Sequence, residues 1–524
     1  MLGAGALLVG CPDATEAPAP LPPKKNNIVV VGAGVAGLSC AYCLAKAGAE
    51  VSVYEANSRI GGRLLTHTWE QGKEQFLYEL GAEFLDPRHV SMRVLAKELG
   101  IDLLERRPGP APSAFWLESG PISREQVQEL FALVEASVSS ALAEANDYEQ
   151  QLLDLDNTTL DRWLRLNVRN SSAELSAILA VLLRNRFGVG EEDLSALSLL
   201  ELVGPAGLDR LEAPAQARTA VSALNGLSEF PARLAERLET ENTSIQLNHT
   251  LREVRTGATS GFTLVFETES GSGIEVEAEQ VVLALPFSTL RNVKLSVPLS
   301  NGKRTLLSEL RYGDHSKLCA VFSGTDLPAE LRLDSEPNVE HVWDAPMDAM
   351  NYRVISSQST NIRLGTEIPN KEQSAALLGE RLSSHFGPKS TFVYRPQSAA
   401  RVRWGNWIYA LGSVPYYRPR QWGSRAVAGR RAGNLHFCGD HCSIDFHGTA
   451  EGAAETGMLV AAEVLQDAQL AFPAALSDWL ILKGRQAQPY LGMGDPGRDV
   501  VTRRARAFME HDQFVSQHLA DQLL

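Results

Sequence analysis

The sequence lacks the features of a disulfide scaffold, an internal membrane span or a nucleic-acid-binding surface. The chain has only six cysteines in 524 residues, and 44% of its residues are hydrophobic. This composition differs from the dense cysteine pattern of small disulfide-stapled domains. No internal run reaches the roughly 18 apolar residues of a membrane helix. A net charge of −14 offers no basic face to a phosphate backbone, so we expect no nucleic-acid partner. No zinc pattern is present, and we expect no metal.

The first 25 residues differ from the rest of the chain. The apolar run LGAGALLVG ends at Cys11, and a linker rich in proline and alanine follows. This arrangement is similar to the end of a bacterial lipoprotein signal, although a charged start is missing. We therefore expect export to the periplasm, with a lipidated Cys11 as the only membrane contact. A cytoplasmic location is the alternative.

The stretch VVVGAGVAGLSC has the order of a dinucleotide-binding motif. An apolar run precedes Gly32, Gly34 and Gly37, and a helix of small residues, Leu38–Ala47, follows. Ala36, between the last two glycines, is also expected to contact the cofactor. The glycines permit a tight turn, close approach of a pyrophosphate, and packing of helix on strand. The next strand, EVSVYE, ends at Glu55, where a carboxylate accepts hydrogen bonds from ribose hydroxyls and repels a 2′-phosphate. The motif predicts a Rossmann-like domain that binds NAD or FAD rather than NADP.

Three further segments favour FAD over NAD. They are SRIGGRLLT, FLYELGAEFLD and the C-terminal HFCGD…HGTAEGAAETG. Their small residues allow a flat ligand to approach, the arginine offers a fork for a phosphate, and the last segment begins a second helix that suits the longer FAD. The residues that we expect to contact the cofactor here are Gly62, Arg63, Gly81, Ala82, Gly439, Asp440, Thr449 and Ala450.

In this order the motifs resemble those of the flavin-containing amine oxidase family, which includes monoamine, polyamine and L-amino-acid oxidases. The resemblance covers about 27–90, 245–290, 311–322 and 400–465 and is weaker in the helical insert. It implies FAD as cofactor, and an amine and O2 as reactants. It also places Val254 where a family backbone meets the adenine, and Asp440 where the family usually has a glutamate.

The resemblance places two side chains beside the flavin. Lys317, which opens the apolar strand KLCAVF, matches the family lysine that holds a water near flavin N5; the alternative is an ammonium that reaches solvent from a strand end. Trp404 stands nine residues before Ser413, as the family tryptophan precedes its active-site loop; the alternative is a core tryptophan. Some monoamine oxidases attach flavin to a cysteine at the position of Ser413, and a serine forms no thioether. We therefore expect noncovalent FAD.

Substrate preference follows from departures within the family. Glu83 stands where L-amino-acid oxidases of the snake-venom type have an arginine for the substrate carboxylate. Asp86 matches an acid of plant polyamine oxidases; the alternative is an acid in a surface loop. With Phe84 between them, these acids favour a di- or polyamine or another cationic amine. The aromatic cage of monoamine oxidases is missing at Val414 and Thr449, so Tyr416 is the candidate for a substrate-facing ring.

These residues predict oxidation of an amine C–N bond by hydride transfer to flavin N5, which gives an imine, then a carbonyl with ammonia or an amine, and H2O2. The first alternative is an L-amino-acid oxidase, possible for basic amino acids if Arg88, Arg401 or Arg403 clamps the carboxylate. Further alternatives are a flavin desaturase and a noncatalytic flavoprotein.

The fold class that we expect is α/β, with a Rossmann-like FAD-binding domain interwoven with an α+β substrate domain and a helical insert. The tail covers 1–25. The FAD-binding domain is expected in three pieces, the substrate domain in a helical and a sheet part, and a helical C-terminal extension is a candidate homodimer contact. The bounds are 26–110, 220–295 and 430–470 for the first, 111–219 and 296–429 for the second, and 471–524 for the extension.

Overall fold

The computed structural model describes residues 27–86, 88–105, 114–117, 120–123, 126, 129, 154–168, 172–198, 221–257, 261–325, 327, 331–335, 341–344, 352–360, 370–387 and 389–481. The predicted lipid site at Cys11 lies outside the described residues, as do much of the helical insert and residues 482–524. Among the described helices, none combines the length and apolar character that crossing a bilayer requires.

The helices of the described chain range from single turns to five turns in length. They are α1 (Val35–Lys46), α2 (Val90–Leu99), α3 (Leu160–Asn167), α4 (Ala173–Phe187), α5 (Glu229–Thr240), α6 (Phe287–Leu290), α7 (Asn301–Glu309), α8 (Lys371–Phe386), α9 (Arg425–Ala428) and α10 (Ala450–Asp467).

The strands are distributed over the whole described chain. They are β1 (Asn27–Val31), β2 (Glu50–Tyr54), β3 (Thr66–Gln71), β4 (Glu74–Glu79), β5 (Leu103–Glu105), β6 (Ala114–Leu117), β7 (Gly120–Ile122), β8 (Val221–Ala223), β9 (Ser244–Gln246), β10 (His249–Thr256), β11 (Phe262–Thr268), β12 (Gly273–Ala278), β13 (Gln280–Leu283), β14 (Lys294–Ser296), β15 (Arg311–Tyr312), β16 (Ser316–Ser323), β17 (Arg332–Ser335), β18 (His341–Asp344), β19 (Arg353–Ser359), β20 (Val393–Tyr394), β21 (Ala400–Arg403), β22 (Pro415–Tyr416) and β23 (Leu435–Phe437).

A five-stranded parallel sheet has the order β23-β13-β1-β2-β9. Its central strand is apolar on both faces, since Ile28, Val29 and Val30 are fully buried, as expected for a parallel sheet that helices cover on both sides. Helices α1 and α10 pack closely, because Gly457 lets the backbone of α10 approach that of Ala36. The strands come from all three segments predicted for the FAD-binding domain, whose exact bounds stay a prediction.

A larger mixed sheet has the order β20-β16-β19-β18-β17-β6-β7, and β21 pairs with β16. Side chains alternate along β16: Ala320 and Phe322 pack with α8, whereas Cys319 and Val321 pack with the hairpin β3–β4. Because Lys317 is two residues from Cys319, its side chain lies on the same face of the strand and faces the hairpin. We call this the substrate face and the opposite one the helix face. The α/β fold predicted from the sequence is confirmed.

Candidate active site

The glycine motif forms the turn between β1 and α1. Gly32 has a φ of +105°, and a Cβ on Gly37 would lie 1.9 Å from the carbonyl oxygen of Gly32. Helix α1 begins after Gly34 without a side-chain cap and without an acid in its first turn. The helix start therefore presents its N–H groups and positive dipole end to an anionic ligand.

Glu55 lies beside this turn at the end of β2. One of its carboxylate oxygens accepts the Ala33 N–H at 2.7 Å and the other accepts the Asn57 N–H at 2.9 Å. Burial raises the pKa of Glu55 above its ordinary value even though these hydrogen bonds act in the opposite direction. The first residue of β10, His249, donates its N–H to the Glu55 carbonyl at 2.8 Å, so the start of β10 adjoins the expected ribose site.

The segment around Arg63 reaches across the chain to Asp440. Gly62 has a φ of +56° and a Cβ there would lie 3.3 Å from Gly34 Cα. The Arg63 guanidinium donates to both Asp440 oxygens, with Nη1–Oδ2 at 2.8 Å, and to the Ser413 carbonyl. Burial alone would raise the pKa of Asp440, but Arg63 holds it well below its ordinary value. The structure therefore joins the predicted phosphate ligand and the predicted ribityl ligand in one ion pair.

Two further small-residue segments complete the surroundings of this ion pair. A Cβ on Gly81 would lie 1.9 Å from the Arg63 carbonyl oxygen, and the Ala82 N–H donates to that oxygen at 3.3 Å. The N–H of Gly439 donates to Thr456 Oγ1 at 2.9 Å. These contacts keep three backbone segments close together.

Helix α10 starts at the same place. Thr449 caps it by accepting the Gly452 N–H at 3.1 Å, and Ala450 is its first residue. We call the whole arrangement the cofactor cradle: the turn 32–37, Glu55, 61–63, 81–82, 439–440 and 449–450. The close approaches that its glycines allow, the uncapped start of α1 and the carboxylate of Glu55 fit a dinucleotide with a pyrophosphate.

The predicted adenine contact at Val254 fits the structure less well. Val254 is fully buried, and β10 is paired there on both sides, with Leu264 of β11 and Leu295 of β14. Its backbone groups are therefore engaged in the sheet. Leu251 lies beyond the residues that β14 pairs, next to an irregularity in the β11 register, and nearer to Glu55 along the strand. The contact of Val254 with the adenine stays a prediction.

Lys317 is buried on the substrate face, only 4% exposed, so its ammonium does not reach solvent. Its Nζ lies 2.6 Å from Glu83 Oε2 and 3.3 Å from the Gly81 carbonyl oxygen. Glu83 also accepts the indole N–H of Trp343 at 2.9 Å. An ammonium has three N–H donors, and among the described residues no acceptor takes the third. This leaves one donor for a water, as the predicted role of Lys317 requires.

An aromatic wall lies next to Lys317. The Trp343 ring centroid is 4.9 Å from Lys317 Nζ, and the rings of Phe84 and His341 lie 6.4 and 4.6 Å from the Trp343 ring. Cross-strand register brings this about, because Gln358 of β19 pairs with both Lys317 and His341. Sequence analysis missed Trp343 and His341. The alternation in HVWD could have shown that they share a face, but not which strand they adjoin.

Trp404 follows β21 and is buried with Cys319 and Val321 on the substrate face. Its indole N–H donates to the Leu80 carbonyl at 3.2 Å, which places it beside the Gly81 segment. Ser413 lies 2.6 Å, Oγ to Nδ1, from the buried His315, whose pKa burial lowers to about 4. The roles of Lys317 and Trp404 at the flavin stay predictions.

The other two residues predicted to bind substrate have different surroundings. Asp86 forms a bidentate ion pair with Arg88, with both N–O distances at 2.7 Å. Burial alone would raise the pKa of Asp86, yet Arg88 lowers it to about 2. Tyr416 lies in β22, where it pairs with Arg311 and belongs to the main hydrophobic core. Neither side chain has a described contact with Lys317, and their substrate role stays a prediction.

The chain is similar in sequence to known proteins over most of its length. The chain is 26% identical over 476 residues to AofH of Mycobacterium tuberculosis, which carries the name of a flavin-containing monoamine oxidase, and covers 97% of it. It is 25% identical to the putrescine oxidase of Kocuria rosea, of which it covers 95%. It is 22% identical to the L-amino-acid oxidase of Sistrurus catenatus edwardsii, of which it covers 87%. Each match takes in 84% of this chain.

The fold is also similar to a solved structure. Cyclohexylamine oxidase from Brevibacterium oxydans superposes with a TM-score of 0.71 at 18% identity, covering 85% of this chain and all of that one. The family model for flavin containing amine oxidoreductase matches residues 35–465. These findings confirm the predicted resemblance, the enzyme class and FAD as the cofactor. The chain belongs to the family of flavin-containing amine oxidoreductases.

Proposed function

We propose that this enzyme oxidises the C–N bond of an amine that binds in its neutral form between the cofactor cradle and the aromatic wall of the substrate face. The residues of the cofactor cradle would hold FAD, and this cofactor would supply the redox chemistry by which the amine loses a hydride from the carbon beside its nitrogen and becomes an imine while O2 is reduced to H2O2. The imine hydrolyses to a carbonyl compound with release of ammonia or an amine. The observation that carries the proposal is the buried Lys317–Glu83 pair beside Gly81.

The chain's own residues position the reactants. Glu83 and the Gly81 carbonyl hold the Lys317 ammonium, whose third N–H would be available to hold a water. Trp343 and Phe84 exclude bulk solvent on the same face, and a desolvated site favours the uncharged form of an amine. Much of the rate enhancement therefore comes from placement and from the dry surroundings.

The substrate that the geometry favours is an amine with an apolar substituent. The sequence preference for a cationic tail depends on Glu83 and Asp86, and both carboxylates are neutralised within the protein, by Lys317 and Arg88. A di- or polyamine is the second candidate, and the similarity to a putrescine oxidase supports it.

An amino acid substrate receives less support from the structure. Of the three arginines considered for a carboxylate clamp, Arg88 pairs with Asp86 and Arg403 with Asp314. Arg401 has the parity of Leu318 and lies on the helix face. We propose the amino acid reaction only as the alternative, with the similarity to an L-amino-acid oxidase in its favour.

A substrate panel tests these proposals. Peroxide release is measured with aliphatic and aromatic monoamines, diamines, polyamines and L-amino acids, and the products are identified. We expect aldehydes or ketones from apolar monoamines, with the highest kcat/KM for these. Keto acids as the main product would establish the amino acid alternative, and a preference for diamines the second candidate. Flavin that no amine reduces under anaerobic conditions would contradict amine oxidation itself.

We also propose that the protein is exported and carries a lipid anchor at Cys11, with a cytoplasmic location as the alternative, and that it forms a homodimer through the C-terminal extension. Cys11 and residues 482–524 lie outside the described residues.

A further inference from the structure

The loop between β21 and β22 contacts the cofactor cradle at two points. Arg63 donates to the Ser413 carbonyl, and the Arg59 guanidinium lies 5.3 Å from the centroid of the Trp407 ring. The loop begins at Trp404, the side chain predicted to lie beside the flavin. We call residues 404–413 the cradle loop. Its position decides where these groups lie relative to the cofactor.

Both ends of the cradle loop are bound to one residue, His315, which immediately precedes β16. At the first end, the His315 carbonyl accepts the Trp404 N–H at 3.0 Å. At the other end, the His315 N–H donates to Ser413 Oγ at 3.3 Å, and Nδ1 of the ring lies 2.6 Å from the same oxygen. One residue thus closes a loop whose ends are nine positions apart.

A third contact determines which ring nitrogen of His315 carries the hydrogen. Nε2 lies 3.1 Å from the carbonyl oxygen of Asn185, in the last turn of α4. Because a carbonyl can only accept, Nε2 carries the hydrogen, and Nδ1 of a neutral ring is then an acceptor. Burial lowers the pKa of His315 to about 4, so the ring is neutral at neutral pH. The Ser413 hydroxyl therefore donates to Nδ1.

This hydrogen bond is shielded from water. His315 and Ser413 are each only 6% exposed. When one member of a buried pair is removed, the other loses its partner without gaining water, and this costs more than the hydrogen bond itself contributes. Unlike the Trp404 contact, which uses main-chain groups, the bond from the Ser413 hydroxyl to Nδ1 can be removed by substitution of either side chain.

The Asn185 carbonyl connects His315 to the strand pairing around Lys317. It also accepts the side-chain amide of Gln358 at 3.1 Å, and Gln358 is the cross-strand partner of Lys317. The end of α4, the cradle loop and the strand that carries Lys317 are therefore joined through the His315 ring and its neighbours.

We propose that His315 is a positioning residue of the cofactor site, whose imidazole accepts the Ser413 hydroxyl and thereby fixes the cradle loop, and with it the carbonyl that Arg63 binds, in the arrangement that holds FAD. The alternative is a core histidine that contributes to the stability of the fold alone. The proposal does not depend on which amine the enzyme oxidises.

Two substitutions separate the two ring contacts of His315. His315→Asn keeps a side-chain oxygen close to the position of Nδ1, which can still accept from Ser413. His315→Gln reaches the position of Nε2 and can still donate to Asn185, but it loses the acceptor for Ser413. Ser413→Ala removes the hydroxyl itself.

The affinity for FAD and the surroundings of the bound flavin are the two readouts. The holoenzyme is diluted, the fluorescence of the released flavin gives the dissociation constant, and visible circular dichroism reports on the flavin that stays bound. We expect His315→Gln to raise the dissociation constant about tenfold and Ser413→Ala about threefold to tenfold, with an altered dichroism spectrum in both. His315→Asn should stay within about twofold of the wild type, because the Ser413 hydroxyl keeps an acceptor.

A double variant tests whether the two side chains act as a unit. His315→Gln combined with Ser413→Ala should bind FAD no more weakly than His315→Gln alone, because both substitutions remove the same hydrogen bond. Losses that simply add would contradict the proposal.

His385→Gln and Ser383→Ala are the matched controls. Both residues lie on α8, which packs against the helix face, and Ser383 Oγ accepts the Phe392 N–H at 2.9 Å. These variants should leave FAD affinity and dichroism unchanged. The proposal is overturned if His315→Asn and His315→Gln weaken FAD binding equally. It is also overturned if Ser413→Ala binds FAD as tightly as the wild type, and this comparison decides the question if the histidine variants do not fold.

Discussion

The cofactor cradle and the substrate face are built by different means. The cofactor cradle is formed mainly by closely packed backbone segments. Gly32, Gly37 and Gly81 stand where a Cβ would collide with a carbonyl oxygen. The substrate face is formed by side-chain contacts instead, since Glu83 contacts both Lys317 and Trp343 and the three residues come from separate segments. The comparison teaches that a nucleotide site is built from small residues in local motifs, whereas the substrate side depends on contacts that strand register creates.

The largest effect is expected from a substitution that disrupts the cofactor cradle. Gly37→Ala places a Cβ 1.9 Å from the Gly32 carbonyl oxygen, so α1 cannot keep its distance from β1. We expect the protein to lose stoichiometric FAD, measured as flavin absorbance per protein after desalting. Gly302→Ala is the matched control, because a Cβ there meets only Val427 at 3.7 Å. FAD retained at one per chain in Gly37→Ala would contradict the account of the turn.

The next effect concerns the substrate face. Lys317→Met should slow peroxide production at least about tenfold while FAD remains bound, because the cradle is unchanged. It also leaves the Glu83 carboxylate buried without its counter-ion, which should lower the free energy of unfolding by about 3 kcal/mol. Steady-state turnover and urea unfolding measure the two quantities.

A double variant separates the two roles of Lys317. Glu83→Gln in the Lys317→Met background removes the buried charge and should recover most of the stability without restoring turnover. If turnover recovers along with stability, Lys317 serves the fold rather than the reaction. Unchanged turnover in Lys317→Met alone would remove it from the mechanism.

A smaller effect is expected where the two regions meet, at Glu79. Burial raises the pKa of Glu79 to about 7, above the value of about 4.3 for an unfolded chain. The folded state therefore holds this proton more tightly, so the stabilisation is fully present below about pH 4 and is lost as pH rises through about 7. Glu79→Gln mimics the protonated carboxyl and still offers an acceptor to the Leu227 N–H.

We expect Glu79→Gln to match the wild type near pH 4 and to exceed it by about 3 kcal/mol near pH 8. Urea unfolding at both pH values gives the comparison. A stability difference that does not change with pH would mean that Glu79 does not titrate in this range.

The smallest effect is expected at Asp86, where a substitution tests whether this acid binds the substrate. Asp86→Asn should change KM for monoamines and diamines equally and by less than about twofold, because Arg88 already neutralises Asp86. Arg88→Gln is the informative partner, since it exposes the acid and should lower KM for diamines relative to monoamines. A selective loss of diamine affinity in Asp86→Asn would restore the tail-binding role predicted from the sequence.

The sequence predicts the cofactor cradle better than it predicts the substrate face. The α/β class, the turn at Gly32 and the cofactor follow from local motifs, because glycine spacing and the acid-ended strand are properties of adjacent residues. The ion pair of Arg63 with Asp440 was not predictable, although both residues were expected at the cofactor. Nothing local shows that two groups 377 positions apart share their charges.

The substrate side was predicted less well for the same physical reason. Glu83 and Asp86 look alike in ELGAEFLD, as two acids that could attract a cation. Their effect depends on the cations that folding brings to them, Lys317 from β16 in one case and the neighbouring Arg88 in the other. Trp343 remained unnoticed because its place beside Lys317 is set by the pairing of β18 with β19.

The strand order of the parallel sheet has a consequence for biosynthesis. An edge strand, β23, comes from residues 435–437, while the central strand begins at residue 27. A nascent chain on the ribosome thus carries an unfinished sheet, with the edge of β13 open, until nearly all of the protein has been translated. Because open strand edges are prone to wrong pairing, this stage is where chaperones would be needed, and a premature stop before residue 435 would leave a product that cannot mature.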